Sequence, residues 1–311
     1  MTETVTQTPT FTDSVQHFQV EGPGLRGRMV RIGPALGQAL DAHGYPDAVA
    51  RLLGETVAVT VALASALKYD GVFTLQAIGD GAVQTLMADI TSDGAFRCYA
   101  RFDDDKLDEV LKNDADPSLP RLMGAGHLAF TVDQGADTER YQGITELTGS
   151  TLADCAHHYF RQSEQLQTAM VVMCDPDVRS AGAIMLQQLP EENERPVDLG
   201  EEVEESEEWR RAVILMSSLK SSELLDDTLP PSDLLFRLFH EDGVRLFDAN
   251  HIRNQCRCSE QKVRGTLKSF PRHEIDAMHE DGVVTVTCEF CMVDYVFDGA
   301  ALDTLFAETD T

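Results

Sequence analysis

Cys256-Arg257-Cys258, then 29 residues, then Cys288-Glu289-Phe290-Cys291: this stretch decides how the chain reads. Four of the seven cysteines fall in two tight pairs. Two thiolates two or three residues apart grip one side of a metal ion, and a second pair supplied by a long loop completes a tetrahedral sulfur shell, which suits zinc. Cys256, Cys258, Cys288 and Cys291 are therefore the expected ligands, with Zn2+ the expected cofactor. The same spacing also lets each pair close locally into a disulfide. A plainer reading makes these cysteines buried small hydrophobes. It fits poorly, because Arg257, Ser259 and Glu260 are too polar for a core segment. His251, His273 and His279 lie nearby in sequence and are expected to be solvated, since four thiolates already fill a zinc shell.

Around the pairs the pattern predicts helices over Lys262–Lys268 and His273–Glu280, a strand over Val283–Thr287, a hairpin partner over Asp294–Phe297, and a helix over Ala300–Ala307. Residues 246–311 are thus expected to form a small zinc-binding domain. So short a segment buries little apolar area, and the metal should supply much of its stability.

Moving upstream, residues 190–245 read as an acidic and helical linker. Between Glu191 and Glu208 there are ten acidic residues and one basic residue, too dense a charge run to bury. Trp209 to Leu225 then carries apolar residues at helical spacing, and Ser232 is placed to cap a helix holding Leu234, Leu235, Leu238 and Phe239. These amphipathic helices need a partner surface, either permanently or conditionally. Residues 1–189 read as a mixed α/β core domain, so the chain as a whole is expected to be α+β. Helices are predicted over Leu36–Leu40, Tyr45–Leu53, Glu55–Leu67 and Leu152–Ser163, with Pro46 suited to a first helical turn. Strands are predicted over Val72–Ile78, Ala82–Ile90, Arg97–Phe102, His127–Val132 and Thr168–Cys174, with an acidic loop after Phe102. Gly79-Asp80-Gly81 reads as a hairpin turn using positive φ; a phosphate loop there lacks the following Gly-Lys-Ser/Thr. Cys155 beside His157 and His158 suggests a thiol nucleophile only weakly, because neighbours on a helix face apart. Cys98, Cys155 and Cys174 read as core residues.

The formal net charge is −28, from 53 acidic and 25 basic residues, so the molecule repels nucleic-acid phosphates and anionic membranes. Leu246 to Ala300 alone holds six Lys/Arg and nine Asp/Glu, which weighs against the alternative of a zinc-ribbon adaptor for nucleic acid or transcription machinery. The most apolar run, Val57 to Leu67, is too short to span a bilayer, and Met1 to Asp13 lacks the pattern of a secretory signal. A cytoplasmic protein is expected, where paired cysteines mean metal or redox chemistry. A thiol oxidoreductase would need one exposed low-pKa cysteine, and none stands out.

Structural zinc contributes ~10–16 kcal/mol of apparent binding free energy, comparable to or above the ~5–15 kcal/mol of a whole domain. A disulfide closing three or four residues contributes only about 2 kcal/mol. Oxidation of each pair is therefore expected to unfold the zinc domain and release the helices upstream. Uncovered apolar surface then binds other exposed apolar surface.

Several stretches together resemble the heat-shock protein 33 family of redox-regulated chaperones. They are Cys256-Arg257-Cys258-Ser259, Cys288-Glu289-Phe290-Cys291, Leu234-Leu235-Phe236-Arg237-Leu238-Phe239-His240-Glu241, Tyr159-Phe160-Arg161-Gln162-Ser163-Glu164-Gln165, Gln187-Gln188-Leu189-Pro190 and the Leu25-Arg26-Gly27 region. The resemblance implies an ATP-independent holdase, not an enzyme, that is inactive when reduced and zinc-bound. It implies disulfides pairing Cys256 with Cys258 and Cys288 with Cys291 on oxidation, with zinc release. Unfolding client proteins, a homodimer in the oxidised state and downstream ATP-dependent chaperones are the implied partners. Gln255 stands where the family often has an apolar residue, and Gly182-Ala183 where it commonly has two glycines in a turn.

Overall fold

The computed structural model describes residues 12–135, 138–160, 167–188 and 206–307. The chain divides into two units, Met1–Asn254 and Gln255–Thr311. The first contains β1 (Ser14–Val20), β2 (Leu25–Ile32), α1 (Pro34–Asp41), α2 (Asp47–Ala64), β3 (Val72–Gly79), β4 (Val83–Thr91), β5 (Ala95–Phe102), α3 (Asp104–Asn113), α4 (Leu119–Met123), β6 (Gly126–Asp133), β7 (Tyr141–Glu146), α5 (Leu152–Tyr159), β8 (Thr168–Asp175) and β9 (Ser180–Gln188). It continues with α6 (Glu207–Ser217), α7 (Ser221–Leu224), α8 (Pro231–Phe239), β10 (Val244–Leu246), β11 (Asn250–His251) and β12 (Arg253–Asn254). The second contains α9 (Glu260–Lys268), α10 (Arg272–Asp276), β13 (Val283–Thr287), β14 (Asp294–Asp298) and α11 (Gly299–Ala307). The α+β expectation holds.

Two sheets build the first unit. One runs β10-β1-β2-β9-β8, with β11 also on β1; the other runs β12-β5-β4-β3-β6-β7. Between them lies α2, buried on nearly every side, as a helix apolar all round must be. Val15, Val30, Ala183 and Met185 of the first sheet, and Leu75, Leu86 and Leu128 of the second, join α2 in one core. The opposite face of the first sheet is also apolar. Phe18, Leu25, Met29, Ile184 and Leu186 pack there against Trp209, Met216, Leu224, Leu234, Leu235 and Phe239 of α6 to α8. Phe18 and Phe239 stack with ring centroids 6.0 Å apart.

Gly27 stands opposite Phe18 in the β1–β2 pair, and the ring lies over it. A Cβ at Gly27 would sit 2.0 Å from Phe18 Cζ, so Gly27→Ala must push the ring against its neighbours. Overpacking of this kind costs about 1–3 kcal/mol. The midpoint of thermal unfolding should fall by several degrees; an unchanged midpoint would show that the ring yields freely.

Several local expectations need correction. The two helices expected around Gly54 are one, because Gly54 serves close packing: a Cβ there would meet Cys174 Sγ at 2.4 Å. Pro46 is the N-cap residue of that helix, just outside its first turn. Gly79 and Gly81 join β3 to β4 as expected, but neither has positive φ. They are needed because the α4 backbone passes over them, with Met123 O and Leu122 O 2.1 and 2.4 Å from the added Cβ positions. The acidic loop after Phe102 is α3, whose N-cap Asp103 accepts from Lys106 N–H while Asp104 and Asp105 occupy the positive end of the helix dipole. Ser232 is inside α8, which begins at Pro231 with Pro230 as N-cap. Trp209 to Leu225 breaks at Ser218 into α6 and α7. The helix expected to reach Glu280 ends at Asp276. Gly182-Ala183 lies within β9 and not in a turn; a Cβ on Gly182 would press Leu224 Cγ at 2.9 Å. Residues 246–254, read from sequence with the cysteine segment, pair through β11 and β12 with β1 and β5. Residues 161–166 of the expected α5 region, Leu189-Pro190 and residues 191–205 of the acidic run lie outside the described residues. Ser206 caps α6 by accepting from Trp209 N–H.

Candidate metal centre

Two local structures bring the four sulfurs together. Cys256 and Cys258 lie just before α9, which Ser259 caps by accepting from Lys262 N–H, while Lys262 Nζ holds Arg257 O at 2.7 Å. Cys288 and Cys291 occupy the tight connection of the β13–β14 hairpin. Its neck is closed by Thr287 Oγ1 donating to Asp294 Oδ1 at 2.6 Å, and Cys288 and Val293 pair through Cys288 N–H and Val293 O. Met292 N–H donates to Cys288 O at 2.8 Å, which forces Met292 into the left-handed region at φ 56°. Glycine accepts that conformation without strain, so methionine here is a small conformational cost.

The four Sγ atoms lie within 4.8 Å of one another. Cys256 and Cys288 are 3.7 Å apart, Cys258 and Cys291 3.4 Å, and none of the four is joined in a disulfide. A tetrahedral zinc with ~2.3 Å bonds to sulfur needs sulfurs roughly 3.8 Å apart. The cluster is thus positioned to bind a metal ion and is compatible with zinc. Among the described residues, Leu267, Ile275, Val284, Phe297, Leu302 and Leu305 form the small buried core of this unit, with Val263, Val286 and Phe306 packed half-buried against it. The sulfur cluster contains no histidine: His273 is exposed, His279 contacts Asp276 O, and His251 sits in β11.

Two residues with long-range polar contacts gave no sequence signal. The first is Tyr295 on β14, whose hydroxyl donates to Cys258 Sγ at 3.1 Å. Burial works to raise the Cys258 thiol, but the Tyr295 hydroxyl and the neighbouring sulfurs outweigh it and bring the pKa down to about 7. Cys291 moves the opposite way, pushed up by burial and by the surrounding sulfurs against a lowering Val293 N–H. One thiolate therefore forms near neutrality and resists a second beside it. Tyr295→Phe should weaken metal retention roughly 10–100-fold, the usual effect of losing a hydrogen bond to a ligand. Competition with a colorimetric chelator reads this; equal retention would show the hydroxyl to be idle.

The second is Arg31. It lies on β2 facing α7, is 3% exposed, and donates to Leu224 O at 2.6 Å, Leu229 O at 2.5 Å and Glu223 O at 3.0 Å. Burial lowers its pKa to about 10 against the attraction of Asp226 and Asp227. Its sheet neighbour is Gly182, whose missing side chain leaves room for Leu224.

The remaining cysteines are structural. Cys98 and Cys155 are buried, and Cys174 packs half-buried against the same core. Burial raises the three thiols to about 12, 11 and 12 in that order, which leaves them protonated and unreactive. Cys155 Sγ donates to Thr148 O at 3.1 Å, and its neighbour His157 is exposed. Among the described residues no helix is long and apolar enough to cross a membrane.

Residues 13–298 match the family model described as Hsp33 protein. The 33 kDa chaperonin of Caulobacter vibrioides is 38% identical over 305 residues, covering 96% of this chain and 99% of that protein. The 33 kDa chaperonin of Pseudomonas putida is 37% identical over 298 residues, covering 95% and 94%. The crystal structure of the 33 kDa chaperonin (heat shock protein 33 homologue) of Thermotoga maritima aligns with a TM-score of 0.77 at 21% identity, over 96% of this chain and 99% of that one. That last likeness speaks for the fold.

Proposed function

The chain belongs to the Hsp33 family, and on that premise we propose that it is an ATP-independent holdase switched on by oxidation. The family and the names of its relatives support a chaperone that binds unfolded proteins. The redox control is our reading, and one observation carries it: four cysteine sulfurs, none in a disulfide, converge within 4.8 Å.

In this reading Cys256, Cys258, Cys288 and Cys291 hold zinc, which when bound clamps two distant chain segments together. Oxidation by peroxide pairs Cys256 with Cys258 and Cys288 with Cys291. Each pair gives up two electrons and each peroxide leaves as two waters, with protons drawn from the thiols or from solvent. Sulfurs joined in disulfides no longer serve as thiolate ligands, so the metal is released. The small core of residues 255–311 cannot hold alone, and α6 to α8 then lose a neighbour in the chain that was ordered. Their release would uncover Phe18, Leu25, Met29, Ile184 and Leu186, the apolar sheet face they now cover. The acidic run from Glu191 keeps a client complex soluble. The reading extends to a reducing cytoplasmic setting, a homodimer of the oxidised form and transfer of clients to ATP-dependent chaperones.

The test compares zinc-loaded reduced protein with a peroxide-treated sample for suppression of light scattering by a thermally aggregating client. Suppression only after oxidation, reversed by thiol reductant plus zinc, is the expected result. Equal behaviour of both samples would reduce the metal to a structural role.

A further inference from the structure

We propose that residues 244–254 form a removable strap, and that the sheet edges it occupies on β1 and β5 receive extended segments of unfolded clients by strand addition. This rests on the holdase reading and names the surface that the client meets.

The strap is one continuous piece of chain that closes the edges of both sheets. β10 and β11 lie antiparallel on the outer edge of β1, and β12 lies parallel on the outer edge of β5. Main-chain bonds hold it: Phe247 N–H donates to His17 O at 3.0 Å, Ile252 N–H to Asp13 O at 2.9 Å, and Arg253 N–H to Gly94 O at 2.9 Å. Its apolar anchors are few: Leu246 is 37% and Phe247 48% exposed, Val244 is half-buried against the Phe18 cluster, and Ile252, at 6%, is its one fully buried hydrophobic. Gln16 Nε2 also donates to Phe247 O, and Arg245 pairs with the exposed Glu21. Arg253 pairs with the exposed Asp93.

Residues 249–252 form part of the wall of an open cleft of about 1020 Å³, lined also by His17, Arg28 and Tyr69. His17 Nε2 is buried with no hydrogen-bond partner among the described residues. A segment held mainly by backbone pairs at the rim of an open cleft is the kind that opens locally before the rest of a domain. Its chain position matters as well, because Asn254 is separated from Cys256 by Gln255 alone. Unfolding from residue 255 onward would free the end of β12.

An uncovered edge presents rows of unpaired N–H and C=O groups, which is why native proteins cover such edges. What those groups recognise is an extended backbone of almost any sequence. That suits a protein whose clients share only the property of being unfolded, and the present occupant of both edges is itself an extended segment.

The experiment uses full-length protein and a fluorescein-labelled peptide of residues 244–254, read by anisotropy. A control peptide carries N-methyl groups at the residues matching Phe247, Ile252 and Arg253, which keeps every side chain and removes those donors. The reduced, zinc-loaded wild type should not bind the peptide, since the tethered strap outcompetes it. The oxidised protein should bind it, with mutual displacement by a permanently unfolded, alkylated client. The methylated peptide should compete roughly tenfold or more weakly. Ile252→Asp, kept reduced and zinc-loaded, should take up the peptide and exchange it for client without oxidation; Arg253→Pro serves if that variant does not fold.

Simultaneous binding of peptide and client, or equal competition by the methylated peptide, overturns the proposal. Peptide-sensitive exchange of straps between two copies, with no client displacement, overturns it too. If oxidised protein holds no client, the redox reading fails, and the reduced Ile252→Asp protein still decides whether the edges take client.

Discussion

Cys258→Ser is expected to abolish metal retention and unfold residues 255–311 while leaving the first unit folded. The arithmetic is one-sided. Among its described residues the second unit fully buries the hydrophobic side chains of Leu267, Ile275, Val284, Phe297, Leu302 and Leu305, with a few others half-buried around them. Segments of this size seldom stand without a staple, and a structural zinc supplies ~10–16 kcal/mol. Cys258 carries the Tyr295 hydrogen bond as well, so its loss removes a ligand and loosens the hairpin beside it. Metal analysis should read close to zero. Amide resonances of β13, β14 and α11 should collapse to the narrow dispersion of an unfolded chain, while those of β2 to β6 stay in place. A variant with full metal content and dispersed signals would mean that three thiolates suffice and that the clamp is weaker than its chemistry suggests.

The sequence disclosed this second unit better than the first, for a physical reason. Metal chemistry fixes residue type and spacing together, so Cys256, Cys258, Cys288 and Cys291 were legible before any fold was known. The strands β13 and β14 followed from simple alternation into the second pair. In the first unit both faces of the inner sheet are covered. Val15 and Val30 point to the α2 core while Phe18, Leu25 and Met29 point to the helices, so β1 and β2 show no clean polar face and went unread. β7 failed differently: Tyr141 and Ile144 are exposed on an edge strand and gave no inward signal. Long-range partners left no local trace at all. Arg31 meets carbonyls 192 to 198 residues away, and Tyr295 meets a sulfur 37 residues upstream. Glycines misled most. Gly54 and Gly79 looked like breaks or left-handed turns, yet they answer to Cys174 Sγ and Met123 O, neighbours invisible in one dimension.

Arg31→Leu is expected to free α7 and α8 from the sheet while the metal stays bound, which would separate helix release from cysteine oxidation. Arg31 is a buried charged group on the face that also carries Leu25 and Met29. Its guanidinium satisfies the carbonyls of Glu223, Leu224 and Leu229, where α7 ends and the chain turns toward α8. Leucine would fill the space but leave those carbonyls unpaired. The lost bonds to a charged donor outweigh the desolvation regained by removing a buried cation, for a net cost of about 2–4 kcal/mol. The cost falls on the helices and not on the sheet, whose strands keep their own ladders. Amide exchange over residues 207–239 should therefore quicken by roughly 30- to 900-fold, with β2, β9 and α2 unchanged. Reduced, zinc-loaded Arg31→Leu protein should then suppress client aggregation to a degree that the wild type reaches only after oxidation. Arg31→Lys keeps the charge but reaches fewer carbonyls with one ammonium, so it should fall between the two. Exchange in Arg31→Leu equal to wild type would show that the apolar contacts of Trp209, Met216, Leu235 and Phe239 hold the helices down without the arginine.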